Sequence, residues 1–101
     1  MLVTITFNNN YGAVPYTAAS VKTPFTAIEE VLKALNYAFI KTQNIDESWS
    51  ESKCDEITIA HHHFDGTPLR SSMVGDEFIV WFSDKEFKKF ICERVGWKEV
   101  A

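Results

Sequence analysis

His61, His62 and His63 stand in a row, and no other stretch of the chain gathers side chains so suited to holding a metal or moving a proton. On a strand, residues two apart share a face, so His61 and His63 would point the same way, with Asp65 or Cys54 as further ligands. No second ligand cluster stands at a matching spacing, and a solvated or hydrogen-bonded run at a strand end explains the residues without a metal. Histidine titrates near neutrality, so the run would also make a pH-sensitive surface. A nucleophile reading pairs Cys92 or Cys54 with a histidine. Cys92 lies among Phe90, Ile91 and Val95, however, where an inert buried thiol is expected. Nucleophile elbow, phosphate-cradling glycine loop and paired carboxylates are all missing, so catalysis ranks below binding and no cofactor is implied.

Three stretches suit binding. In Arg70, Ser71, Ser72, Met73, Val74, Gly75, Asp76, the arginine and serines could hold an anion. Turn chemistry explains the same residues without a ligand: Gly75 takes a backbone angle other residues avoid, Asp76 accepts from turn amides, and Arg70 pairs with Asp76. Lys85, Lys88, Lys89, Arg94 and Lys98 alternate with Phe87, Phe90 and Trp97, as in a nucleic-acid contact, although Asp84, Glu86, Glu93 and Glu99 nearly cancel the charge. The third stretch is acidic. Asp46, Glu47, Glu51, Asp55 and Glu56 face only Lys53 within residues 46–56, leaving nine acids and nine bases elsewhere in a chain of net charge −4. Glu47, Trp49, Glu51, Asp55 and Glu56 are therefore the candidate partner contacts, since clustered acids steer encounter with a basic surface. Trp49 has a second reading, in which it pins the loop onto the core.

The totals bound the rest. A chain of 101 residues that is 46% apolar is expected to form one domain over residues 1–101 and to bury roughly two thirds of its unfolded surface. Two cysteines are too few for a disulfide framework, which fits a reducing cytoplasm. The apolar run Leu2 to Phe7 is too short for a signal-peptide core, and nothing approaches a membrane span. A soluble cytoplasmic protein, monomeric or a homodimer, is expected, with no membrane partner.

These residues must be positioned by the elements around them. Val3, Ile5 and Phe7 alternate with threonines, predicting a first strand, and Asn8 to Gly12 predict a turn. Thr17 to Lys22 reads as a weaker strand. A helix over about 25–42 follows, capped by Thr23 before Pro24 or by Thr26 with Glu29, its stripe running through Ile28, Val31, Leu32, Leu35, Ala38 and Phe39. Gln43 to Glu56 is a long polar segment, Ile57 to Ala60 a strand that could run on to Phe64, and Asp65 to Pro68 a turn. Phe78 to Phe82 predicts a buried strand. Phe87 to Val95 suits a helix or a hairpin partner, and the short connection favours the hairpin. The fold class is α+β, one principal helix packed on a small antiparallel sheet of four to six strands.

Several of these landmarks occur together in a known pattern. Ala38, Phe39, Thr42, Gln43, Asn44, Ile45 and Trp49, then Arg70, Ser71, Val74, Gly75 and Asp76, then Val95 to Val100, resemble a family of small uncharacterised proteins of phages, plasmids and bacterial genomes. That pattern has a Thr-Gln-Asn helix end, an Arg-Ser-x-Ser-Val-Gly-Asp turn and a C-terminal Gly-aromatic segment. Here Met73 stands in place of the second serine, and Ser83 to Glu86 replace a short glycine hairpin. The resemblance implies no activity, only a setting on mobile genetic elements. There, a non-catalytic protein that binds and inhibits a host or anti-phage defence macromolecule is the first expectation. A nucleic-acid-binding regulator built on the C-terminal segment and a metal-dependent enzyme centred on the histidines are the alternatives.

Overall fold

The computed structural model describes residues 1–8, 13–45 and 47–100. Of the predicted turn Asn8 to Gly12, residues 9–12 lie outside the described residues, as does the acid Asp46. Six strands form one antiparallel sheet: β1 (Leu2–Phe7), β2 (Tyr16–Lys22), β3 (Ile57–Ile59), β4 (Glu77–Trp81), β5 (Phe87–Cys92) and β6 (Trp97–Val100). Their spatial order is β3-β2-β1-β4-β5-β6. An N-terminal hairpin and a C-terminal meander thus meet at β1 and β4, where Val3 lies opposite Val80 and Ile5 opposite Phe78.

One helix, α1 (Val31–Lys41), crosses that seam and contacts both β1 and β4. Alternation along the strands aims Val3, Ile5, Phe7, Phe78, Val80, Phe90 and Cys92 at it, and all are buried. A bulge between Ile5 and Thr6 sets two β2 alanines, Ala18 and Ala19, into the core. No helix among the described residues is long and apolar enough to cross a membrane.

Several predicted features are corrected. The helix begins later than residue 25: a single 3-10 turn, Ile28–Glu30, leads into α1. Neither threonine caps it. Thr23 gives its hydroxyl to the Met1 carbonyl at 2.7 Å, and the carboxylate that reaches back is Glu30, accepting from the Ala27 amide at 3.2 Å. The apolar stripe is also rotated. Ala34, Leu35 and Ala38 are buried, with Val31 and Phe39 packed beside them, whereas Ile28 and Leu32 are more than half exposed. Small side chains let the helix axis approach the sheet, and the larger Ile28 and Leu32 are left on its flank. Strand β3 stops at Ile59 instead of continuing through the histidines. Residues 87–92 form a strand, as the hairpin reading expects.

Candidate functional site

The turn before β4 is the hub of the molecule. Asp76, fully buried, receives Arg70 as a two-pronged ion pair, Nη1 to Oδ2 at 2.8 Å and Nη2 to Oδ1 at 2.9 Å. The same carboxylate accepts the backbone amides of Asn8 at 3.0 Å and Met73 at 2.9 Å. Gly75 closes the turn at φ 95°, and its amide donates to the Cys92 carbonyl at 2.8 Å. The Arg70 guanidinium lies 4.0 Å from the Phe7 ring centre.

The helix end is stitched to this turn. Ser72, 2% exposed, shares a 2.6 Å hydrogen bond with the Thr42 hydroxyl and accepts Gln43 Nε2 at 2.8 Å. Ser71 Oγ accepts the Asn44 amide at 2.8 Å, and Asn44 Oδ1 accepts the Trp49 amide at 2.9 Å. The first two landmarks of the resemblance are thus one hydrogen-bonded network. The groups assigned to an anion, Arg70, Ser71 and Ser72, are all engaged within it.

Trp49 completes the network. It is 3% exposed, meets Phe7 edge-on with ring centres 6.2 Å apart, and donates its indole N–H to the Arg70 carbonyl at 2.7 Å. Its side chain therefore pins the acidic segment instead of presenting itself to a partner. Around that pin, Glu47, Glu51 and Asp55 are exposed, and Glu47 accepts the Ser52 hydroxyl at 3.2 Å. Ser50 Oγ accepts the Leu69 amide at 2.9 Å. Glu56 differs from the other acids because its carboxylate accepts the Tyr37 hydroxyl, tying the segment back to α1.

That bond, ahead of burial, pushes the Tyr37 phenol from 10.0 up to about 12. A group whose pKa is higher in the folded state contributes its stability in full below the unfolded value and loses it as the pH climbs through the folded one. The midpoint of urea unfolding should therefore fall between pH 10 and about 12, and Tyr37→Phe should abolish that part of the fall. Parallel profiles for the two proteins would refute the assignment.

The histidines gather around a ring that the sequence did not single out. Tyr16 stacks on His61 with centroids 3.9 Å apart and meets His63 edge-on at 6.1 Å; the two imidazoles are 5.3 Å from each other. Burial raises the Tyr16 phenol, with Arg70 opposing and Asp76 adding to the shift. Tyr16, His63 and Arg70 share the wall of an open cleft of ≈ 520 Å³. Asp65 is turned to Thr67, whose backbone amide and then hydroxyl hold its carboxyl below the usual range. Among the described residues, no three of His, Cys, Asp and Glu gather closely enough to hold a metal ion. Cys92 is buried, and that burial, followed by the Asp76 charge, raises its thiol.

The C-terminal basic set is divided. Lys88 points to the helix side of β5, 4.0 Å from Glu99, while its neighbour Lys89 points to the opposite face. Lys85 and Arg94 lie in separate turns at opposite ends of the meander. Trp97 packs on Phe78 at 4.7 Å and gives its N–H to Asn36 at 3.0 Å. Sequence reasoning also missed the sheet face away from α1, where Leu2, Trp81 and Phe87 fall side by side. The signal was present in Phe78 to Phe82, because a strand apolar without interruption places large side chains on both of its faces.

No family model, curated protein or solved structure matches the chain. Its class therefore rests on its own geometry, an α+β domain with one helix packed against a six-strand antiparallel sheet.

Proposed function

We propose that the protein is a non-catalytic interaction module of a phage or other mobile element. In this reading it acts in the host cytoplasm, capturing a basic surface on a host or defence macromolecule and inhibiting it by occupying that surface. The observation that carries the reading is the anchoring of the acidic segment. Trp49 is buried while Glu47, Glu51 and Asp55 around it stay exposed. Carboxylates on a pre-ordered frame lose little freedom on binding and speed encounter with positive charge.

Glu47→Gln, Glu51→Gln and Asp55→Asn together remove three charges and spare Glu56, which has a structural partner. The triple variant should keep the thermal midpoint of the parent and associate with the captured partner about 10- to 100-fold more slowly at low salt. Association at the parental rate, or a rate insensitive to ionic strength, would overturn the assignment.

A further inference from the structure

We propose that the sheet face turned away from α1 binds single-stranded nucleic acid, with Trp81 and Phe87 as the stacking platform and Lys22, Lys89 and Lys98 contacting phosphates. The register aligns one row across four strands: Lys22 opposite Leu2, Leu2 opposite Trp81, and Trp81 opposite Phe87. At one strand spacing per step this row spans about 14 Å. The next row brings Thr4 opposite Ile79 and Ile79 opposite Lys89, and the third puts Glu77 opposite Ile91 and Ile91 opposite Lys98. None of the described elements crosses these rows, and Leu2 and Phe87 are 39% and 45% exposed.

Ring geometry and charge together select the occupant. The Trp81 indole donates to Thr4 Oγ1 at 3.0 Å, two residues along the neighbouring strand from its paired position, so the ring lies back along the sheet. Phe87 packs beside it at 4.8 Å, with the Lys89 ammonium 5.9 Å from the Phe87 ring centre. A groove of ≈ 830 Å³ continues from the indole past Leu2, Lys22 and Phe82. A ring laid along a surface offers its π-face to a base, whereas membrane insertion uses apolar groups that project. Three lysines outnumber the two acids at this surface, Glu77 and the groove-lining Asp84, while the acidic segment lies on the helix side, where Trp49 meets Phe7. A second copy laid face to face would bring lysines against lysines, whereas a phosphate backbone answers them. The inference stands independently of the acidic segment, which it does not use.

The test is fluorescence anisotropy of labelled oligo(dT) and oligo(U) of about 15 nucleotides, long enough to cover one such face. Binding is expected at low salt, with log Kd changing by about 2 per tenfold change in salt, as three phosphate contacts to a single strand require. Combining Lys22→Gln, Lys89→Gln and Lys98→Gln should nearly abolish that slope. Phe87→Ala should weaken binding about tenfold and leave the slope intact, and Trp81→Phe should retain most of it. Removing the charges of Glu47, Glu51 and Asp55 should not reduce binding. No anisotropy change at about 100 μM protein, the weak end of ordinary non-specific binding, would overturn the proposal. So would sedimentation with phosphatidylserine vesicles without oligonucleotide binding, or a dimer in light scattering that Phe87→Ala dissociates.

Discussion

Asp76→Ala should destabilise the fold by about 3 kcal/mol or more, the cost of stripping the partner from an ion pair built into a protein interior. Among the described residues, two prongs from Arg70 and the amides of Asn8 and Met73 converge on this fully buried carboxylate. The arginine left behind is one quarter exposed, so water can reach it in part and hold the loss near the lower end of the range. Asp76→Asn keeps the shape and one acceptor oxygen and should cost less. In a double-mutant cycle with Arg70→Ala, the two positions should couple by about 1 kcal/mol or more. Chemical denaturation decides it. An unchanged midpoint for Asp76→Ala would mean that the turn is held by its backbone alone.

Trp49→Ala should cost about 3–5 kcal/mol, the range for removing a large buried aromatic. A domain of this size commonly has only about 5–15 kcal/mol in total, so the variant should be folded with little margin. Two losses combine in it, the edge-on packing against Phe7 and the indole bond to the Arg70 carbonyl. Trp49→Phe separates them by keeping a ring and giving up the donor, for about 1 kcal/mol. Hydrogen exchange gives the sharper reading. Amides across residues 47–56 should exchange much faster in Trp49→Ala than in Trp49→Phe, with β1 and β4 changing less. Uniform acceleration over the whole sheet would make Trp49 an ordinary core residue with no special hold on the acidic segment.

What the sequence disclosed followed the range of the interactions involved. The Gly75 and Asp76 turn could be read because its residues answer one another over a few positions, and the pairing of the Phe87 strand with the preceding Phe78 to Phe82 strand because the connection is short. The strip of core residues on α1 could not be placed from periodicity alone. Ile28 and Leu32 fit the helical repeat as well as Ala34 does, and the sheet's demand for close approach decides between them. The histidines were visible as a run. Their arrangement around Tyr16, some forty-five residues away, depends on the pairing of β2 with β3. The basic C-terminal residues looked like one surface because they are neighbours in sequence, and strand alternation sends Lys88 and Lys89 to opposite sides. The platform around Trp81 was hidden for the converse reason: Lys22, Leu2, Trp81 and Phe87 become adjacent only through the register of four strands.

The most direct test of the central claim is quantitative capture from a bacterial lysate, with and without nuclease, using the parent protein and the Glu47→Gln, Glu51→Gln, Asp55→Asn variant side by side. One protein recovered stoichiometrically by the parent under both conditions, and lost with the variant, is the predicted result. Equal recovery by parent and variant, or recovery that disappears with nuclease, would contradict it.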